Sequence, residues 1–268
     1  MGTIISVANQ KGGVGKTTVS LNLGYALAKK GYDTLLIDMD PQFSLSFALI
    51  EMKVLDRDRD IGDLLLMKRV GKEDVNSATV KVDENLYLIP AHPKVSMVEK
   101  ELMNMYIREH RLRRVVEAVH YHYDYIIIDN PPSLGILTIN SLTASDYVLI
   151  PVELSYFSII AVQLMFGILE DLRDAGLAPD LRVLGFVANK FTRQSKVPQI
   201  RLEQLRELYP DVPVIGVLPR AIAVEKSQEE GKPVFEFDVD SPFSKEFMKI
   251  VDEVVRYAKK DSRDLGNE

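Results

Sequence analysis

The sequence predicts an α/β protein with a doubly wound, mostly parallel β-sheet flanked by helices. Short apolar runs of strand length alternate with longer segments whose apolar residues recur at helical spacing along most of the chain. Some runs are apolar without alternation, such as residues 126–128, which is typical of strands buried on both faces of a parallel sheet. Ligands of such sheets bind beyond the carboxyl ends of the strands. Residues that follow the strands are therefore the first candidates for a functional site.

The predicted elements follow one another from the first residues to the last. Strands are predicted at residues 3–9, 33–38, 86–90, 124–129, 146–151, 182–189 and 213–217. Helices are predicted near residues 16–30, 96–121, 158–175, 197–208 and 242–260. Residues 51–60 predict a flexible loop and residues 261–268 a frayed polar tail, because both are charged and lack an apolar period. We expect a single domain over residues 1–260, since 268 residues suit one large α/β domain, and two small domains are the alternative.

Composition and charge limit the classes of protein that this chain can join. The chain is 46% hydrophobic and 27% charged, which is ordinary for a globular protein. With no cysteine it cannot form a disulfide, a thiol nucleophile or a thiolate-bound iron–sulfur cluster. No apolar run approaches the ~20 residues of a membrane span, and the first strand leaves no room for a signal peptide, so we expect a cytoplasmic protein without membrane contact. The net charge of −6 means that nucleic acid would need a local basic surface.

The strongest motif is KGGVGKTT at residues 11–18, which follows the first predicted strand and opens the first predicted helix. Strand, glycine-rich loop and helix form the context of a phosphate-binding loop. Glycines let backbone N–H groups converge on phosphate oxygens, and the helix N-terminus adds partial positive charge. Lys16 would reach the β- and γ-phosphates, and the Thr17 hydroxyl would ligate Mg²⁺. The sequence therefore predicts a P-loop NTPase whose nucleotide is bound by Lys11, Gly12, Gly13, Val14, Gly15, Lys16, Thr17 and Thr18.

The loop departs from the common pattern at its beginning. Gln10 stands where the first glycine is usual, and Lys11 adds a second lysine five residues before Lys16. With this feature the sequence resembles the deviant Walker A ATPases, which include the ParA/Soj partition proteins and the MinD proteins. The resemblance implies that the nucleotide is ATP and that Lys11 crosses a homodimer interface to the partner's nucleotide. A solvated loop lysine is the alternative.

Aspartates follow two of the predicted strands. Asp38 and Asp40 come at the end of the second strand, before the turn at Pro41, and Asp129 ends the apolar run of residues 125–128. An aspartate at the end of a buried strand is the Walker B arrangement, in which a carboxylate holds Mg²⁺ or its waters. The resemblance implies that Asp38 contacts Mg²⁺ through water and that Asp40 positions the attacking water, although an Asp-Pro turn alone would also explain Asp40. The predicted metal residues are Thr17, Asp38 and Asp129, and the predicted catalytic residues are Lys11, Lys16 and Asp40.

The remaining site residues are implied by the resemblance alone. Asn189 is expected against the adenine base, although it could equally cap the end of its strand, and the segment containing Pro219 is expected to supply further base contacts. In DNA-binding relatives, arginines after the last two strands form the DNA surface. An ordinary solvated helix face is the alternative at each basic position. The positional candidates for DNA contact are Arg193, Lys196, Arg201 and Arg220.

The resemblance also implies a function. A ParA/Soj-type protein is a slow ATPase whose ATP-bound homodimer binds DNA without sequence preference and works with a ParB-type centromere-binding protein in chromosome or plasmid segregation. Such a protein is associated with the nucleoid. A MinD-like membrane-associated division regulator is one alternative, but it would need an apolar face at the C-terminal end, where this chain is polar and mixed in charge. A ParA-like ATPase that positions a protein cargo is the other.

Overall fold

A computed structural model describes residues 2–54, 57–192, 194–230 and 232–264. Within these ranges eight strands form one sheet. The strands are β1 (Thr3–Val7), β2 (Thr34–Asp38), β3 (Val80–Asp83), β4 (Leu86–Ile89), β5 (Tyr125–Asp129), β6 (Tyr147–Glu153), β7 (Arg182–Phe191) and β8 (Val214–Pro219). Their order across the sheet is β3-β4-β2-β5-β1-β6-β7-β8.

Helices connect and cover these strands. In chain order they are α1 (Lys16–Lys29), α2 (Ser44–Ile50), α3 (Ile61–Leu66), α4 (Lys72–Ala78), α5 (Val95–Leu102), α6 (Arg111–Glu117), α7 (Ile136–Thr143), α8 (Tyr156–Asp174), α9 (Lys196–Leu208), α10 (Ile222–Glu229), α11 (Val234–Phe237) and α12 (Pro242–Asp264). Among the described residues, no helix is both long enough and apolar enough to span a bilayer.

The sheet is parallel except at one edge, where β3 runs antiparallel to β4. This confirms the predicted fold class. β1 lies at the centre, between β5 and β6. After β1, the chain forms β2, β3, β4 and β5, which all lie on one side of β1 in the sheet. It then forms β6, β7 and β8 on the other side. The connections therefore diverge next to β1, and such a divergence opens a ligand-binding crevice at the carboxyl ends of the strands.

The core lies on both faces of the sheet. α1 and α12 cover one face, whereas α3, α5, α6 and α7 cover half of the other face, and α8 with α9 covers the second half. Successive residues of a strand point to opposite faces. In β2, accordingly, Leu36 belongs to the first cluster and Leu35 and Ile37 to the second. All five β5 residues are buried, as its uninterrupted apolar run predicts, and so are all five residues of β2.

The long helix predicted over residues 96–121 is wrong. α5 ends at Leu102 and α6 begins only at Arg111, after a segment in which Ile107 has a positive φ of 54°. The side chain of Asn140, on α7, determines where α6 begins. Its Oδ1 accepts the backbone N–H groups of Arg111 and Leu112 at 2.9 and 3.1 Å. The helical pattern of residues 96–121 looks continuous in sequence, but a contact between Leu112 and Asn140, 28 residues apart, marks a new helix start within it.

Several short elements were not predicted, because four to eight residues show too little periodicity to be recognised. They are β3, α2, α3, α4, α7, α10 and α11. The predicted flexible loop at residues 51–60 instead begins with a 3₁₀ helix, Glu51–Val54, and ends at Asp60, whose side chain caps α3; residues 55 and 56 lie outside the described residues. The last helix continues to Asp264, so the tail predicted from residue 261 is helical for four more residues, and residues 265–268 lie outside the described residues.

Candidate nucleotide-binding site

The glycine-rich loop connects β1 to α1 at the crevice beside the central strand. Gly13 and Gly15 have φ values of 73° and 95°, in the left-handed region that glycine tolerates. No side chain caps the N-terminus of α1. The first N–H groups of a helix have no partner within the helix, so here they are available to a bound anion. The loop therefore has a backbone geometry that suits a phosphate cradle.

Lys16 is the buried lysine of this loop. Its side chain is only 6% exposed, and its Nζ donates to the carbonyl oxygen of Lys11 at 3.3 Å. Burial lowers the pKa of Lys16 from its usual value, whereas the nearby carboxylates of Asp129 and Asp40 act in the opposite direction. A buried ammonium curled over the loop is placed to neutralise the charge of bound phosphates.

The predicted metal residues come together across three elements. Thr17 and Ser20, both on α1, donate their hydroxyl hydrogens to the two carboxylate oxygens of Asp129 at 2.8 and 2.9 Å. Asp38 lies beside Asp129 in the register of β2 and β5. Its carboxylate accepts the backbone N–H and the hydroxyl of Ser46 at 2.9 and 2.7 Å. The carboxyl ends of neighbouring strands thus bring two acids beside the loop hydroxyl.

The carboxylates of Asp38 and Asp129 are fully buried, and burial favours their protonated forms. Burial raises the pKa of Asp129 to about 8, and the adjacent Asp38 contributes to the rise. Burial also raises the pKa of Asp38 to about 6, against the hydrogen bonds from Ser46. Two buried acids side by side are disfavoured as anions. The donor set is all oxygen, which suits Mg²⁺, a hard cation that keeps several of its waters. These residues therefore fit a magnesium site.

Asp40 faces the same space from the turn after β2. It is 8% exposed, and its Oδ1 accepts the backbone N–H of Gln42 at 2.9 Å. It also lines a cavity of about 880 Å³ that extends from the loop towards the ends of β7 and β8. Small-molecule sites occupy roughly 300–1,000 Å³, so the cavity has room for a nucleoside triphosphate. Asn189 and Pro219, the residues predicted near the base, line it as well.

The side chain of Lys11 is held by residues outside the loop that contains it. Its Nζ donates to Oε2 of Glu153, the last residue of β6, at 3.2 Å and to Oγ of Ser155 at 2.9 Å. Its side chain is 27% exposed, in contrast to the buried Lys16. Asn9 anchors the beginning of the loop, since its Oδ1 accepts the backbone N–H of Lys11 and its Nδ2 donates to the carbonyl oxygen of Pro151.

The chain matches known proteins over most of its length. A family model described as an AAA domain matches residues 2–183. The chain is 37% identical over 254 residues to the sporulation initiation inhibitor protein Soj of Bacillus subtilis, covering 95% of this chain and 98% of Soj. It is 35% identical over 255 residues to the chromosome partitioning protein ParA of Caulobacter vibrioides, with 94% and 93% coverage. The chain belongs to the ParA/MinD family of P-loop ATPases. It is also 54% identical over 257 residues to an uncharacterized protein of Methanocaldococcus jannaschii, covering 96% of this chain and 99% of that protein.

Solved structures of similar fold support this family membership. A putative plasmid partition protein of Borrelia burgdorferi bound to AMPPNP superposes with a TM-score of 0.76 at 26% identity, covering 96% of this chain and all of that one (100%). Cobyrinic acid a,c-diamide synthase of Mycobacterium smegmatis with ADP and magnesium gives a TM-score of 0.75 at 30% identity, covering 86% and 93%. The prediction of ATP with Mg²⁺ as cofactors is thereby confirmed at the level of the family.

Three of the four basic residues predicted to contact DNA lie in the described part of the chain. Arg220 is exposed at the rim of the cavity, and Lys196 is exposed at the first turn of α9. Arg201 instead packs over the ring of Tyr156, with its guanidinium carbon 5.3 Å from the ring centroid. Arg193 lies outside the described residues. Their role in DNA binding stays a prediction.

Other residues of the site had no recognised signal in the sequence. Ser20 and Ser46 hold the two buried aspartates, and Glu153 and Ser155 hold Lys11. Ser20 follows Lys16 by one helical turn, so helical spacing alone could have suggested that it shares a face with Thr17. Glu153 and Ser155 closely follow the strand predicted at residues 146–151 and could have been named by the rule that ligands bind beyond the carboxyl ends of strands.

Proposed function

We propose that this chain is an ATP-dependent dimerising switch of the ParA type. In this proposal it binds ATP with Mg²⁺, pairs with a second copy, and contacts DNA without sequence preference in the paired form. Hydrolysis, accelerated by a ParB-type centromere-binding partner, returns it to single copies. The cycle would serve chromosome or plasmid segregation and would keep the protein associated with the nucleoid.

The observation that carries this proposal is the divergence of the two loop lysines. Lys16 is buried over its own loop, where its ammonium group would neutralise part of the charge of bound phosphates. Lys11 starts from the same loop but extends to Glu153 and Ser155, with more than a quarter of its side chain exposed. A partly exposed lysine that is held outside its own loop, at the end of β6, is in a position to serve a nucleotide held by a second copy.

The chemistry requires little covalent work from the protein. Phosphoryl transfer is catalysed mainly by positioning and charge neutralisation. Lys16 and the Lys11 of a second copy would offset charge on the γ-phosphate, and Asp40 would orient the attacking water. Thr17, Asp38 and Asp129 would hold Mg²⁺ directly or through its waters, and the bound ion supplies further positive charge at the phosphates. A lone aspartate is a weak base, which agrees with a slow reaction that a partner accelerates.

Segregation is favoured because the ParA relative of Caulobacter vibrioides is named for chromosome partitioning. Soj and ParA are matched over more than nine-tenths of this chain. A dimer would double any basic surface, and phosphate contacts by Lys196 and Arg220 would give weak, salt-sensitive binding, with Kd roughly 10⁻⁴–10⁻⁶ M at physiological salt. An ATPase for a protein cargo would share the site and differ only in the partner.

The dimer is tested by light scattering after size exclusion. Asp40→Ala with ATP should elute as a stable dimer, because nucleotide binding remains while hydrolysis is blocked. Adding Lys11→Ala to that variant should leave only the monomer. Lys94→Ala, an exposed lysine at the start of α5, is the matched control and should dimerise with Asp40→Ala as before. A dimer that persists without Lys11 would contradict the proposal.

The output is tested by co-sedimentation with plasmid DNA and, separately, with anionic liposomes, each with ATP and with ADP. We expect ATP-dependent binding to DNA that weakens steeply with added salt, and no binding to liposomes. Lys196→Glu with Arg220→Glu should reduce DNA binding, whereas Lys94→Glu should not. ATP-dependent sedimentation with liposomes alone would favour a membrane-associated regulator instead.

A further inference from the structure

Asn189 joins two parts of the nucleotide site that lie 175 residues apart in the chain. Its Nδ2 donates to the carbonyl oxygen of Val14, in the middle of the phosphate loop, at 2.9 Å. Its Oδ1 accepts the backbone N–H of Lys190 at 2.8 Å. The residue is 6% exposed. Both ends of the carboxamide are therefore held by backbone groups, one of which belongs to the loop itself.

The carboxamide of Asn189 packs closely against Gly15 of the phosphate loop. A Cβ placed on Gly15 would lie 2.1 Å from Nδ2 of Asn189, so that no side chain fits there while Asn189 keeps its position. Lys190, the next residue, has a φ of 56°, which is uncommon for a residue other than glycine. Such backbone conformations persist where the surroundings determine them strongly. The backbone at the end of β7 therefore holds the carboxamide of Asn189 against the phosphate loop.

We infer that Asn189 is a positioning residue for the phosphate loop, holding Val14 and Gly15 in the shape that receives phosphates whichever base is attached. This inference rests on the proposed binding of ATP and replaces, for Asn189, the expected contact with adenine. Bidentate recognition of an adenine edge uses both the donor and the acceptor of an amide side chain. Here the acceptor already serves Lys190, and one donor hydrogen serves Val14.

Three ligands separate the two roles of Asn189: Mg·ATP, Mg·GTP and inorganic tripolyphosphate with Mg²⁺, which has no base. Their Kd values are measured by calorimetry for the wild type, Asn189→Ala and Asn189→Ser. Serine is too short to span the distance to Val14 and is the milder substitution if the alanine variant folds poorly. Gln194→Ala, at an exposed position in the segment that follows β7, is the matched control and should behave as the wild type.

Loss of one hydrogen bond to the loop should weaken all three ligands about equally, by roughly ten-fold, and leave the ratio of ATP to GTP affinity unchanged. Amide hydrogen exchange over residues 12–18 should also become faster in the nucleotide-free variants. The opposite pattern would overturn the inference: ATP weakened selectively, tripolyphosphate unaffected and exchange unchanged. If the wild type itself bound none of the three ligands, the proposed function would fail instead, so the two failures are distinguishable.

Discussion

The phosphate edge and the outer helical face of this molecule are built in opposite ways. We define the phosphate edge as residues 11–18 with Asp38, Asp40 and Asp129, and the outer helical face as the exposed apolar side chains of α8 and α9. At the phosphate edge, charged and hydroxyl groups are buried and bonded to one another, as in the contact of Thr17 with Asp129, which spans 112 residues. The outer helical face leaves large apolar groups in contact with water: Tyr156, Phe157, Ile160, Leu164, Val197, Ile200 and Leu208.

This difference shows which region carries the chemistry of the protein and which region contributes little to the stability of a single copy. Burial of charged groups costs free energy of desolvation that pairing does not always offset, so a region that buries several of them is organised for chemistry more than for stability. Exposed apolar groups such as Phe157, at 69%, contribute little to the fold of a single copy. Substitutions at the phosphate edge should therefore change function strongly, and substitutions on the outer helical face should hardly change stability.

The largest effect is expected for Lys16→Ala. Removing the buried cation should lower ATP turnover by about a thousand-fold, as for other groups that stabilise charge in a transition state. The fold should persist, because the Nζ atom donates only one hydrogen bond among the described contacts, to the carbonyl of Lys11. Phosphate release and thermal unfolding measure the two effects. Lys29→Ala, which removes an exposed partner of Asp83, is the control and should keep normal turnover. Near-normal turnover by Lys16→Ala would break the comparison at once.

Asp129→Asn should raise stability while removing function. Burial and the neighbouring Asp38 disfavour the charge of Asp129 and raise its pKa, so a neutral amide of the same shape should stabilise the nucleotide-free protein by about 2 kcal/mol at pH 8. Denaturant unfolding checks this value. The additional stabilisation that Mg²⁺ and ATP confer on the wild type should be lost in the variant. A less stable Asp129→Asn protein would show that the acid pair supports the fold after all.

Glu153→Gln tests the boundary between the two regions. It weakens the hold on Lys11, whose ion pair with Glu153 is partly exposed and therefore worth at most about 1 kcal/mol. We expect the ATP-dependent dimer to become up to about five-fold tighter, since Lys11 loses a competing partner. Sedimentation equilibrium measures the constant, with Glu203→Gln, which removes the exposed partner of Arg206, as the control. A weaker dimer would mean that Glu153 also acts in the paired form.

The smallest effects are expected on the outer helical face. Phe157→Ser and Ile200→Ser should each change the free energy of unfolding by less than about 0.5 kcal/mol, as is usual for exposed positions. ATP binding by single copies should also be unchanged. The matched buried position is Phe186, which is 0% exposed on β7, and Phe186→Ala should cost about 3–5 kcal/mol. A large loss of stability in Phe157→Ser would show that this face serves the fold.

Local pattern was enough to predict the fold class, the phosphate loop and the strands that lead to Asp38 and Asp129. Each of these depends on neighbours within a few residues: uninterrupted apolar runs, glycines at fixed spacing and an aspartate directly after a strand. The prediction of one helix over residues 96–121 failed because it, too, used only residues that are neighbours in the sequence. Local spacing cannot register Asn140, which binds the first N–H groups of α6 from another helix.

The sequence by itself determined the chemistry of this protein, because a glycine-rich loop with two lysines can be recognised without knowledge of what packs against it. Tertiary structure alone decided how those groups are held. It directed Lys11 to Glu153 and Lys16 into the loop, placed the hydroxyl of Ser20 on Asp129, and set Asn189 against Val14. These pairs are brought together by the order of strands in the sheet, and hydrogen bonds act only over about 3 Å, a distance that no spacing in a sequence encodes.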